Sequence, residues 1–218
     1  MNIYLVVEDT YGTQVYSKWA KYINPRFSFI QDIRDVKENN IYVVSGNGYP
    51  NYYDIIEDAM NDVNSNNLFD RLVVAVDSED QTFREKFDEV DSYIKSKNFK
   101  KDYKIIIQHF CLETWALGNR AIVSRTPQSE NLRRYLSIFN VLTSDPELLP
   151  DYKIEELNRA QFAEKYLRML LNEKYRNLTY TKKNPHVLLN YKYFDRVRAR
   201  LKDTEHIKSF EDFLTAFT

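Results

Sequence analysis

The chain has 218 residues, of which 43% are hydrophobic and 29% charged, and its formal net charge is −1 at pH 7. This composition is typical of a globular protein, and because no run reaches 18 apolar residues we expect no transmembrane helix. The only cysteine is Cys111, so an internal disulfide is excluded and a buried thiol in a reducing compartment, the cytoplasm, is expected. The start, MNIYLVVED, lacks the features of a signal peptide and predicts a first strand.

Apolar runs alternate with amphipathic stretches along the first half of the chain. The predicted elements, in chain order, are strand 3–7, helix 13–23, a short strand 27–30, strand 41–48, helix 52–63, strand 71–77, helix 82–97, strand 103–110 and a helix that begins near residue 112. This order predicts an α/β fold with a mostly parallel sheet flanked by helices. The continuous runs LVVAV and KIIIQ suit strands that are covered on both faces.

The strand signal ends near residue 126, and helices are predicted over 128–141, 153–175 and 191–217. We therefore predict an α/β core over 1–126 and a helical, basic extension over 127–218. The charge is uneven: residues 1–150 carry 17 basic and 22 acidic side chains, whereas residues 151–218 carry 14 and 10. An acidic half and a basic half suit a site that holds cations on one side and a polyanion on the other.

Acidic residues follow the predicted strands at the edge where parallel α/β sheets bind ligands. Glu8 comes directly after the strand 3–7. Asp77 ends the strand 71–77, and Glu79 and Asp80 follow it. Glu113 follows the strand 103–110. Carboxylates that converge repel one another unless a cation lies among them, and oxygen ligands favour Mg²⁺ or Mn²⁺. The alternative is structural, because acids at helix N-termini cap the first turn, and Asp80 and Glu113 both precede or begin predicted helices.

The segment from Lys174 to Lys202 holds nine basic residues and a single acid, Asp195, with tyrosines between them. Cations bind phosphates and aromatic rings stack on bases, so this segment is a candidate nucleic-acid contact. The predicted contacts are Lys182, Lys183, Lys192, Arg196, Arg198 and Arg200. The alternative is a surface helix whose aromatic residues face the core, and the alternation of the three arginines spreads them over different faces.

Two stretches, LVVEDTYG near the start and LVVAVDSED about 70 residues later, resemble the Toprim domain. That family, which includes topoisomerases, primases and overcoming-lysogenization-defect nucleases, has a Glu after its first strand, a Gly-containing turn, and Asp-x-Asp after a later strand. Here these positions match Glu8, Gly46 or Gly48, and Asp77 with Glu79. The stretches CLETWALGN, NYKYF and SFEDFL are similar to a branch of small Toprim-like proteins, several of which come from phage-defence loci.

The sequence departs from the Toprim pattern in two respects. Glu79 stands where the second Asp is expected, and Asp80 follows it, so the two compete for the role of metal ligand. No Gly-x-x-x-x-Gly-Lys-Ser/Thr motif is present, so the ATPase domain of the larger nucleases in this group is not expected.

The resemblance implies a nuclease that cleaves DNA or RNA with one or two Mg²⁺ or Mn²⁺ ions, with a role in bacterial phage defence. Glu8, Asp77 and either Glu79 or Asp80 would bind the metal, and Glu113 would complete a second metal position or act as a base. A cation from the basic segment, Lys182, Lys183 or Lys192, would neutralise the transition state.

Other functions stay open at this point. The alternative to the nuclease is a non-catalytic Toprim-like module that binds a partner protein, or forms a homodimer, in a defence or toxin system. A response-regulator-like sheet also gathers acids at strand ends, but Glu8-Asp9 matches its paired aspartates only in part.

Overall fold

The computed structural model describes residues 1–175 and 180–218. Five strands lie in the first half of the chain: β1 Ile3–Val7, β2 Ser28–Ile30, β3 Asn40–Ser45, β4 Arg71–Asp77 and β5 Asp102–Gln108. The helices are α1 Gly12–Ile23, α2 Tyr52–Ser65, α3 Phe83–Ser96, α4 Leu112–Ala116, α5 Glu130–Ile138, α6 Arg159–Lys174, α7 Tyr191–Thr204 and α8 Phe210–Ala216. None of the helices within the described residues is long and apolar enough to cross a membrane.

The strands form a parallel sheet in the order β2-β3-β1-β4-β5, which confirms the predicted α/β class. β1 lies at the centre, where Val7 is level with Ser45 of β3 and Ala75 of β4. Every residue of β1 is buried, as the continuous apolar run predicted. The carboxyl ends of β1 and β4 are therefore neighbours.

The two faces of the sheet are covered by different helices. Tyr4 and Val6 of β1 belong to a core cluster with apolar residues of α2 and α3. Val7 points to the opposite face, where the methyl group of its side chain lies against Gly12 of α1. The helix that follows β1, α1, therefore lies on one face of the sheet, and the helix that follows β4, α3, lies on the other.

The end of α8 packs on the α1 side of this sheet. The Phe213 ring lies 5.1 Å from Tyr16 and 6.1 Å from Trp19, centroid to centroid, with the rings edge to face. Phe217 contacts Phe27 in the same way at 6.5 Å. The last residues of the chain are therefore part of the core that surrounds β1.

The chain divides into two compact units, residues 1–77, 82–107 and 212–218 in the first and residues 78–81 and 108–211 in the second. The predicted boundary after residue 126 differs from this division. Residues beyond 107 join the second unit because α4 packs against α6 there. The final residues return to the first unit through the aromatic contacts of α8.

The helical half contains shorter helices than the periodicity predicted. The predicted helix over 191–217 is two helices, because Glu205 and Ile207 have φ angles of 58° and 51° and end the regular hydrogen bonding of α7. The predicted helix over 153–175 begins only at Arg159, where Asn158 caps it. The apolar periodicity of the sequence continues through these breaks, so it predicted longer helices. The ends of the helices are set instead by capping side chains and by residues with left-handed backbone conformation.

Candidate functional site

The carboxylate of Glu8 lies against the end of β4 within the first unit. Its Oε2 accepts the backbone N–H of Asp77 at 2.9 Å, and its own N–H donates to Ala75 O at 2.9 Å. Glu8 is 8% exposed and Asp77 is half-buried. The two predicted acids are thus side by side at the carboxyl ends of two adjacent parallel strands.

A glycine turn after β3 fixes the backbone of Glu8 from the other side. Gly48 N–H donates to Glu8 O at 3.0 Å, and Gly46 N–H donates to Val7 O at 2.7 Å. A Cβ on Gly46 would lie 2.6 Å from Cβ of Tyr52 and 3.3 Å from Cα of Glu8, so only glycine fits this close approach. The turn therefore serves to position Glu8.

Two tyrosine phenols lie close enough to Glu8 to be affected by its charge. Burial, and after it the charges of Asp77 and Glu8, raise the pKa of Tyr16 well above its ordinary value. Burial, and to a smaller degree Tyr53 and Glu8, also raise the pKa of Tyr52. Both phenols consequently stay protonated at neutral pH and present neutral groups to the acids.

Lys86 of α3 is a buried cation in the same unit. It is 6% exposed, its Nζ donates to Tyr52 Oη at 3.4 Å, and it pairs with Glu89 at 3.3 Å. Sequence reasoning missed Lys86 and Tyr16, because both lie on helices whose periodicity indicates only packing. A lysine on the apolar face of α3 was the available signal.

The donor set at Glu8 and Asp77 suits a hard divalent cation. Mg²⁺ needs only one or two protein carboxylates, because it keeps several of its waters, and Mn²⁺ accepts the same ligands. Among residues 1–175 and 180–218, no group of three or more His, Cys, Asp or Glu side chains is placed to hold a metal ion. A cation at this place would therefore depend on the carboxylates of Glu8 and Asp77 and on water, because the described residues offer no larger ligand set.

Glu79 and Asp80, the other predicted metal ligands, belong to the second unit and are exposed. The N–H of Glu79 donates to Phe110 O at 3.0 Å, and its φ of 48° lies in the left-handed region. The carbonyl of Asp80 accepts from Arg159 at 3.3 Å. The turn is therefore held by its backbone, which leaves both carboxylates at the surface.

Glu113, the predicted base or second metal ligand, is 2% exposed in the second unit. It accepts a hydrogen bond from Tyr180 Oη at 2.7 Å. Burial, followed by the charge of Glu113, raises the pKa of Tyr180 well above its ordinary value. Glu113 thus has a buried phenol as its partner, and its catalytic role stays a prediction.

The predicted basic contacts do not form one surface. Arg200 is 2% exposed, and its guanidinium donates to Val141 O and Ser144 O, each at 2.6 Å, so the structure removes it from the predicted nucleic-acid contacts. Arg198 pairs with Asp195 at 2.8 Å. Lys182 and Lys183 are exposed, and Arg176 lies outside the described residues.

Lys192 and Arg196, by contrast, line one cleft of the second unit. Lys192 was predicted as a catalytic cation as well as a nucleic-acid contact. Both side chains are exposed at the cleft, one turn of α7 apart. Of the predicted basic contacts, these two share a concave surface.

Comparisons with protein-family models, with curated proteins and with solved structures gave no match for this chain.

Proposed function

We propose that the chain is a phosphodiesterase that cleaves DNA or RNA with Mg²⁺ or Mn²⁺ held by Glu8 and Asp77. The observation that carries this proposal is the hydrogen bond from Asp77 N–H to Glu8 Oε2, which holds the Glu8 carboxylate against the backbone of Asp77 at adjoining strand ends. Ligands of parallel α/β sheets bind where adjacent strands continue to helices on opposite faces. β1 and β4 are such a pair, since α1 and α3 follow them on different faces.

The charge balance of the first unit supports a cation at this place. Glu8 is largely removed from water, and Asp77 is near enough that both charges act on the same buried phenol of Tyr16. Two carboxylates in a region of low dielectric repel one another, and a divalent ion between them relieves that repulsion.

Each of these residues of the first unit has a separate role in the proposed reaction. Glu8 and Asp77 supply the oxygen ligands, and the Asp77 N–H orients the Glu8 carboxylate. Lys86 donates to the hydroxyl of Tyr52 and pairs with Glu89, and so positions the phenol whose pKa the Glu8 charge helps to raise. A bound divalent ion supplies Lewis acidity and a water of lowered pKa at this site.

The test combines cleavage with a separate measurement of metal binding. Purified protein is incubated with plasmid DNA, single-stranded DNA and RNA in Mg²⁺, Mn²⁺ or EDTA, and Mn²⁺ binding is followed by electron paramagnetic resonance. We expect metal-dependent cleavage that falls at least about 100-fold in Glu8→Gln and Asp77→Asn, together with weaker Mn²⁺ binding.

Asp58→Asn is the matched control, because it removes the same charge from an exposed position of α2. It should leave cleavage and Mn²⁺ binding unchanged. Cleavage that persists in EDTA, or in Asp77→Asn at the wild-type rate, would contradict the proposal.

The second candidate is a non-catalytic module that binds a partner. It is favoured by the lack of a metal-ligand group of three or more side chains within the described residues. The same experiment separates the two functions, because the module predicts no cleavage of any nucleic acid whatever metal is present.

A further inference from the structure

A cleft of about 470 Å³ opens at the start of α7, within the second unit. Its volume lies in the range of roughly 300–1,000 Å³ that is usual for small-molecule sites. The polar and aromatic side chains that line it are Asn119, Tyr175, His186, Asn190, Lys192, Tyr193 and Arg196. We call it the α7 cleft.

The charge of the α7 cleft selects an anion. None of its lining residues within the described part of the chain is an Asp or Glu, whereas Lys192 and Arg196 both reach it. Neither cation forms an ion pair with another described residue. Because they stand four residues apart on one helix, their like charges repel, and a bound anion would relieve that repulsion.

A buried amide is part of the wall of the α7 cleft. Asn119 is 4% exposed, and its Oδ1 accepts the N–H of Ala121 at 3.1 Å. Asn119 also lines the α7 cleft, so its side-chain amide can meet a polar group of a bound ligand.

Aromatic surface is present beside the cations. Tyr175 is 39% exposed and lines the α7 cleft with Tyr193. Tyr193 is fixed by the hydrogen bond from its hydroxyl to Ala116 O at 2.9 Å. An exposed tyrosine ring offers a planar group a stacking partner, as it does for nucleobases in other proteins.

We propose that the α7 cleft binds a nucleotide with a terminal 5′-phosphate, with the phosphate at Lys192 and Arg196, the base against Tyr175 and a polar edge at Asn119. Arginine and lysine donors suit a phosphate, and asparagine amides suit the mixed donors and acceptors of a base. This assignment concerns residues 108–211 alone and holds whether or not Glu8 and Asp77 bind a metal.

Isothermal titration calorimetry tests the assignment on the full chain. The probes are the four nucleoside 5′-monophosphates, the matching nucleosides, inorganic phosphate, and a 5′-phosphorylated oligonucleotide. We expect at least one monophosphate to bind at least about tenfold more tightly than its nucleoside and than phosphate, since both halves of the ligand are recognised. Whether the free nucleotide or the phosphorylated strand end binds more tightly identifies the source of the ligand.

Substitutions connect any binding to the α7 cleft. Lys192→Gln and Arg196→Gln should each weaken binding about tenfold, because each removes one charge-assisted contact. Tyr175→Ala should weaken binding, whereas Tyr175→Phe should retain it. Lys202→Gln removes the same charge from an exposed position of α7 outside the cleft and should leave the affinity unchanged.

The proposal is overturned if no monophosphate binds, or if nucleoside or phosphate binds as tightly as the nucleotide. It is also overturned if Lys202→Gln weakens binding as much as the cleft substitutions do. Circular dichroism melts serve as the folding control, and we expect each variant to be folded because the substituted side chains lie at the surface.

Discussion

Arg200 is predicted to stabilise the second unit, not to bind a ligand. Burial, with a smaller contribution from Arg120, lowers the pKa of Arg200 to about 10, so it is still charged at pH 7. Its guanidinium donates to the carbonyls of Val141 and Ser144 and contacts Nδ1 of His206 at 2.9 Å. Arg200→Met keeps an unbranched apolar stem and removes all three contacts.

The expected loss follows from these contacts. Each buried carbonyl that loses its donor costs about 1–3 kcal/mol, and the variant no longer has to bury a charge, which offsets part of the sum. We therefore expect the free energy of unfolding to fall by about 3 kcal/mol in urea titrations followed by circular dichroism. Arg198→Met is the control, because its exposed pair with Asp195 is worth less than about 1 kcal/mol. A loss below about 1 kcal/mol in Arg200→Met would refute this reasoning.

Two further predictions concern pH and the glycine turn. Burial raises the pKa of Glu147 to about 7, above its unfolded value near 4.3, so the stability it contributes is complete below pH 4 and is lost as the pH rises to about 7. The loss is on the order of 3 kcal/mol between pH 4 and 8, and Glu147→Gln should remove it, as measured by urea titrations at a series of pH values. If the free energy of unfolding depends on pH in Glu147→Gln as it does in the wild type, the raised pKa of Glu147 is contradicted. Gly46→Ala should lower the free energy of unfolding by about 1–3 kcal/mol because of its clash with Tyr52, and should weaken Mn²⁺ binding by displacing Glu8. Gly48→Ala is its control: a Cβ there meets no atom within 4 Å, and the φ of 76° costs about 1 kcal/mol.

The sheet was predictable from the sequence because its strands are covered on both faces. Such strands are continuous apolar runs, and β1 and β4 were recognised with bounds correct to within a residue. The order of the strands was not predictable, because pairing depends on crossovers that periodicity does not encode. Placing β1 between β3 and β4 is what makes Glu8 and Asp77 neighbours.

The second unit was less predictable because its helix ends depend on single residues. Glu205 adopts a left-handed conformation without being Gly or Asn, so no turn signal marked the end of α7. The return of Phe213 to the core around Tyr16 joins residues far apart in the sequence. Neither a local propensity nor an apolar period contains that information.

Burial explains why a basic segment does not act as one surface. Arg196, Arg198 and Arg200 alternate along α7, so the helix turns each of them toward a different environment. Arg200 enters the core, Arg198 pairs with Asp195, and Arg196 reaches the α7 cleft. Charge counted along the sequence predicted six nucleic-acid contacts, but an anion can be bound only by a cation that the fold leaves exposed and without a competing acid. Lys192 and Arg196 meet both conditions within one cleft, and for this reason the anionic part of the nucleotide assigned to the α7 cleft is a single terminal phosphate and not a long polyanion.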